Sequence, residues 1–254
     1  MNYLVHFLKG NKIAGRLTTP LLVSSVLIHT VYNVLRGIHF RHHPMASIYE
    51  ILSVTALALA IVYLVAELWR RNKSTGVFVL PFVFLIQISS SIGIGPTHKI
   101  KPILQDAWFG FHTGSITLAY CAFFLSAVYG IMLLLLHSAL RKKKFGLLFD
   151  RLPSLTTLAR MNRGSTLVGF VFLTISIVVG MLWALEKYPS DLFNARVISV
   201  FIFWAIFGFS LAAHYVFKWS NRRVAILMLT GFITMVLSSA VVNMLIASWH
   251  EFGA

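Results

Sequence analysis

Acidic residues are scarce in this chain. Seven Asp and Glu stand against 22 Lys and Arg in 254 residues, a formal charge of +15. Charged residues of both signs reach only 11%, where a soluble domain carries about 25%. That shortage excludes a globule solvated on all sides. Cysteine is scarcer still: Cys121 stands alone, inside an apolar run, which excludes an intrachain disulfide and any Cys-x-x-Cys redox or zinc motif. A Gly-rich phosphate loop, a nucleophile elbow and a His-Glu-x-x-His zinc motif are missing too. Neither an internal repeat nor a low-complexity tract is visible.

What is present is hydrocarbon. Hydrophobic residues make up 58% of the chain and the mean hydropathy is +0.81. A spanning helix needs about 20 mainly apolar residues. Seven stretches qualify, at roughly 17–38, 46–68, 76–94, 112–136, 165–186, 197–217 and 224–249. The sequence therefore predicts an all-α, polytopic transmembrane bundle. Residues 1–16 are too polar to span and lack a signal-peptide cleavage pattern, and they read as an interfacial foot. The longest polar connection, 139–164, has room for a short surface helix. The basic excess is assigned to loops that meet anionic lipid head groups, not to nucleic acid, because no soluble basic face exists to display it.

Charge also predicts orientation. The foot, the 70–73 loop, the 139–164 loop and the 218–223 loop hold sixteen of the 22 basic residues. Arg36, Arg41, Lys99, Lys101, Lys187 and Arg196 fall on the other side. The positive-inside rule then sets the N-terminus in the cytoplasm and the C-terminus outside.

Ten histidines in such a chain call for partners, because ionisable groups within a bilayer are costly. His112 and His250 each stand at an outer helix end with a tryptophan close by, Trp108 and Trp249 respectively. Two imidazoles and a flat apolar wall could hold a haem. The same residues could equally be an aromatic belt and histidines facing water. His29, His137 and His214 lie within spans. A hydrogen bond to a neighbouring helix accounts for any one of them, although His137 and His214 match in depth, each four residues before a basic residue. His39, His42 and His43 lack a regular metal motif and read as a solvated loop. Glu50, one turn inside the second span, is placed to pair with Arg36 or Arg41.

Four segments recur together in one order: HPMASIYEIL, LQDAWFGFHTGSITLAYCAFFLSAVYGIMLLL, GFVFLTISIVVGMLWA and GFITMVLSSAVVNMLIASWHEFG. With them the chain resembles the cytochrome c assembly family, whose branches include CcsA, CcmC and HemX-type proteins, over most of residues 44–253. The resemblance implies a bundle of about eight helices, where hydropathy gives seven. It implies an external haem b held by His112 and His250, the iron ligands, beside Trp108, Trp183 and Trp249. It also implies a haem contact within the membrane at His214; by depth, His137 or, with helix tilt, His29 would be the other ligand. In domain terms, residues 17–254 would be the haem-handling unit behind the 1–16 foot.

One departure matters. Gly180, Trp183, Ala184 and Glu186 match the start of the family's external segment, but KYPSDLFNARV follows, without its tryptophans or Asp-Pro-Lys-Glu core. The resemblance thus favours a haem-holding or haem-passing accessory of cytochrome c maturation over a complete synthase. Its partners would be the lipid bilayer, apocytochrome c or other assembly subunits, in a bacterial cytoplasmic (inner) membrane. Two alternatives stay open: a b-type electron-transfer subunit, and a HemX-type regulator of haem supply without a catalytic role.

Overall fold

The computed structural model describes residues 2–95, 102–143, 146–187 and 195–247. Nine α-helices and one 3-10 turn make up the described residues, and no strand occurs among them. A short amphipathic helix, α1 (Asn2–Lys9), is followed by α2 (Lys12–Phe40), α3 (Ile48–Arg70) and α4 (Gly76–Gly93). The 3-10 turn Pro102–Gln105 leads into α5 (Ala107–Arg141). Beyond it come α6 (Leu147–Arg151), α7 (Leu155–Lys187), α8 (Ala195–Tyr215) and α9 (Asn221–Ala247). Seven of these, all but α1 and α6, are long and apolar enough to cross a membrane. The hydropathy count of seven holds, and α6 is the short helix expected within the 139–164 connection.

The helices start earlier than the apolar runs. α5 begins five residues before His112, and α7 begins ten residues before its apolar run, at Leu155. Hydropathy marks the stretch in hydrocarbon, whereas capping marks the start of the helix. Asp106 accepts from Trp108 N at the head of α5, and the Ser154 hydroxyl accepts from Thr157 N at the head of α7. By helix rise, α5 at 35 residues is about 52 Å long, well beyond the hydrocarbon thickness of about 30 Å.

α5 is the axle of the bundle: 67% of its spanning window is buried, more than any other span. It packs against α7, α3 and α9, while α3–α4 and α8–α9 pair as hairpins and α2 lies on α3. Outward faces are apolar, as lipid requires; Leu27, Ile28, Val31, Leu35 and Ile38 are all exposed along α2. α5 and α7 run antiparallel in one long register. Phe109 meets Trp183, Gly169 receives the Phe123 ring, and Ser126 bonds Asn162 and Thr166. The buried Asn162 amide donates to Ser126 O at 2.8 Å and to its hydroxyl at 2.9 Å. Such interhelical bonds are favoured where no water competes.

The foot is fastened from beneath. Tyr3 OH donates to Glu67 Oε2 at 2.6 Å, Tyr63 OH donates to the same oxygen at 2.9 Å, and Thr19 donates to Oε1 at 2.6 Å. Glu67 is 2% exposed, so three hydroxyls take the place of water around its carboxyl. Burial first, and then the Glu67 hydrogen bond, push the Tyr3 phenol well above its ordinary value. It therefore serves as a neutral donor. Gly10, at φ 65°, makes the left-handed turn from α1 into α2 that a side chain would oppose.

At the opposite face, Glu50 pairs with Arg36, one of its two expected partners. Arg36 Nη2 lies 2.8 Å from Glu50 Oε1, and Arg36 Nε donates at 2.9 Å. Oε2 accepts from Ala46 N at 2.8 Å. The loop that follows α2 corrects an expectation. His42 is not solvated but 5% exposed, with Nδ1 2.6 Å from His43 O, and the His43 ring packs over Gly110. Backbone pairing of His43 N with Leu104 O folds the loop against the 3-10 turn. Only His39 is exposed as expected.

Candidate functional site: the His112 shelf between α5 and α7

His112 sits on the second turn of α5, on the face turned to α7. Across from it, Ser176, Gly180 and Trp183 fall at positions i, i+4 and i+7 of α7, and thus on one stripe. Ser176 O lies 2.8 Å from His112 Nδ1, and the Ser176 hydroxyl lies 3.1 Å from both Nδ1 and His112 O. A backbone carbonyl can only accept, so Nδ1 carries a proton, and in the neutral imidazole the lone pair is then on Nε2. Nε2 has no hydrogen-bond partner among the described residues. This is how proteins prepare an imidazole for a metal: an outer partner fixes the tautomer and the ring plane.

Gly180 makes room for that ring. A Cβ there would stand 2.6 Å from His112 Cε1 and Nδ1. The glycine does serve close packing, as its run suggests, but what it packs against is the candidate ligand. Gly180→Ala is expected to cost about 1–3 kcal/mol by overpacking, read as a lower melting temperature in detergent. Ala at Gly114, where nothing lies within 4 Å, is the control and should be neutral or stabilising. Equal melting temperatures for the two variants would contradict the close approach.

The tryptophans divide. Trp183 Nε1 donates to Asp106 Oδ2 at 3.2 Å, and its ring lies 6.1 Å from that of Phe109. Asp106 therefore caps α5 with one oxygen and holds α7 with the other. Trp108 is 52% exposed on the first turn of α5, a projecting apolar wall. Trp249 and His250 lie outside the described residues. Sequence reading missed Asp106 and Ser176, because an aspartate at a helix start and a serine in an apolar run are common. The signal available was their spacing against His112 and Trp183 once antiparallel packing of the two helices is assumed.

The histidines within the spans are dispersed. His29 Nε2 lies 3.0 Å from the Ser53 hydroxyl of α3. His214, in the last turn of α8, has its Nδ1 buried without a hydrogen-bond partner, and its ring meets Tyr215 edge-on at 5.0 Å. His137 is half-buried four residues before the end of α5. α2 packs on α1 and α3, whereas α8 packs on α7 and α9, so His29 and His214 belong to different neighbourhoods of the bundle. Among the described residues no cluster of three or more His, Cys, Asp or Glu could hold a metal ion. Axial imidazoles for a haem do not require such a cluster.

The family model described as "Cytochrome C assembly protein" matches residues 18–250. The chain belongs to the cytochrome c assembly protein family. Its relatives include "Cytochrome c biogenesis protein CcsA" of Heterosigma akashiwo, 26% identical over 268 residues, covering 91% of this chain and 83% of that protein. The CcsA of Gloeobacter violaceus is 25% identical over 286 residues, covering 91% and 85%. "Protein HemX" of Brevibacillus brevis is 27% identical over 212 residues, covering 80% and 77%. The family match begins within α2, ahead of the residues 44–253 that carried the resemblance. The chain is thus a multi-pass membrane protein of this family, with the His112 shelf inside the matched region.

Proposed function

We propose that this protein acts in cytochrome c maturation by holding haem b at the external membrane face between His112 and His250. The observation that carries the reading is the Ser176 carbonyl on His112 Nδ1, which leaves Nε2 with its lone pair for iron. The helix register gives independent support. Ser239 of α9 lies beside the Tyr120 hydroxyl of α5, and the Phe124 and Phe232 rings are 6.0 Å apart. From the Tyr120–Ser239 level, His112 is eight residues away along α5 and Ala247 eight residues away along α9. Both offsets run to the same face and equal about 12 Å of helix rise. His250 follows Ala247 by three residues in sequence.

On this reading Trp108 and Trp183 wall the haem, Asp106 and Gly180 set the shelf, and Trp249 adds the aromatic surface next to His250. His214, with its unpartnered Nδ1, is the residue of the spans best suited to touch haem within the membrane, with His137 of α5 as the other ligand; His29 is held by Ser53 in a different neighbourhood of the bundle. When bound, haem supplies a redox-active iron and the group that is handed to an apocytochrome. The protein's own part is to fix the imidazole tautomer and to screen the porphyrin with aromatic rings. The likeness to HemX also supports a second reading, a regulator of haem supply built on the same scaffold.

An absorption spectrum of the purified protein tests the proposal. A reduced bis-imidazole haem signature at substoichiometric occupancy, with loss of cytochrome c maturation on deletion, is the expected result. Full occupancy with reversible redox titration would indicate electron transfer instead, and no haem absorbance would leave only the scaffold. Topology is tested separately. A reporter active only in the cytoplasm should be silent after Gly253 and strong in the 139–164 loop; the reverse pattern would move the His112 shelf to the cytoplasm.

A further inference from the structure

A cleft of about 400 Å³ runs between α3, α5 and α7. Ile61, Val65, Leu118, Leu125, Val168 and Phe172 line its length. From Leu118 to Tyr129 on α5, and from Met161 to Phe172 on α7, it extends about 16 Å along the helix axes. It is therefore a slot parallel to the spans, and its walls are almost wholly apolar. Among the described residues, no histidine lines it.

One end differs. Arg70 and Trp69 close the slot at the end of α3, beside Gly164. The Arg70 guanidinium lies over the Trp69 ring at 4.7 Å. A Cβ on Gly164 would stand 3.4 Å from Arg70 Nη2, so the guanidinium lies at contact distance over this glycine at the mouth. Among the described residues Arg70 has no hydrogen bond or ion pair. Trp69 is 66% exposed, a position suited to the head-group level, where indoles collect. The buried Glu67 carboxylate one turn back on α3 is already held by three hydroxyls, so a guanidinium without a direct ion pair at the edge of hydrocarbon leaves a place for an anion. An apolar slot ending in a cation matches one acyl tail and the anionic head of an amphiphile.

We infer that this slot binds one anionic glycerophospholipid, with an acyl chain along α5 and the phosphate on Arg70. Its length and volume suit a single fatty-acyl chain, and the absence of histidine speaks against haem as occupant. The inference does not depend on the haem proposal. Basic pockets between transmembrane helices recognise anionic head groups in this way.

The test uses the full chain, purified in mild detergent, delipidated, and titrated by native mass spectrometry. Dioleoyl phosphatidylglycerol should bind at one per chain, and phosphatidylcholine with the same tails should bind more weakly. Arg70→Gln should weaken phosphatidylglycerol about fivefold, the effect of one basic residue near a lipid surface, and bring it level with phosphatidylcholine. Arg70→Lys should retain part of the preference. Val168→Trp, which fills the slot, should weaken both lipids. A diazirine-bearing phosphatidylglycerol on the unmodified protein should label the cleft residues of α3, α5 and α7, which keeps the test decisive if the tryptophan variant fails to fold. Equal binding of the two lipids, labels elsewhere, or stabilisation by inorganic phosphate equal to that by phosphatidylglycerol would each overturn the inference. So would displacement of the lipid by haem.

Discussion

His112→Ala should strip most haem from the purified protein, and the double variant His112→Ala/His250→Ala should lose little more than either single one. The reason is the single iron that the proposed function assigns to both residues. Two residues that act on one site are strongly non-additive, because removing either destroys the object that both contact. Loss of an outer partner of a metal-bound histidine typically costs about 10–100-fold in affinity; loss of the ligand itself should cost at least as much. Exogenous imidazole should partly refill the vacancy in either single variant. Ser176→Ala is the informative companion. It removes the hydroxyl but leaves the backbone carbonyl on Nδ1, so its effect should be much smaller than that of His112→Ala. Full haem in both histidine variants, with independent and additive effects on another property, would separate the residues and end the shared-site reading.

Arg36→Leu should be the most damaging single change at the head of α3, lowering stability by about 3–5 kcal/mol. Glu50 is 0% exposed, and removal of Arg36 would leave its carboxylate holding only the Ala46 N–H. The uncompensated buried charge, more than the lost attraction, carries the cost. Arg36→Leu/Glu50→Leu should therefore recover much of what Arg36→Leu loses, since apolar replacement of a whole buried pair is often neutral. Detergent melting curves of the two single variants and the double would measure the coupling. Simple addition of the two single effects would mean that the pair does not act as a unit. Arg36 also donates to Gly95 O, so the single variant should loosen the end of α4 as well.

Much of this protein could be read without coordinates. Apolar runs longer than a bilayer admit only helices or a closed barrel, because unsatisfied backbone groups are too costly in lipid. Seven runs of helical length thus fix the count and the class. The short helix in the long polar connection and the Arg36–Glu50 pairing also followed from local composition and spacing. Helix starts did not, because the opening residues of α7 are rich in polar side chains that hydropathy scores as loop, and the start of α5 is set by the Asp106 cap, not by an apolar period. The burial of His42 escaped for a related reason: its loop folds onto a 3-10 turn sixty residues away in the chain, and no local pattern encodes that.

Of the candidate site, the sequence supplied the residues that could bind iron, and the tertiary structure decided how one of them is prepared. His112 was conspicuous beside Trp108. That its Nδ1 meets a carbonyl from Ser176, that Gly180 clears space for its ring, and that Asp106 holds Trp183 all depend on the register between α5 and α7. That register is set by many contacts along about twenty residues of each helix, from Trp183 against Phe109 to Asn162 against Ser126. A one-dimensional pattern records which face of each helix is small or polar. Which two faces meet, and at what level, is settled only when the whole bundle packs, because in a bilayer the hydrophobic effect does not choose among apolar faces. Close fit and buried hydrogen bonds make that choice.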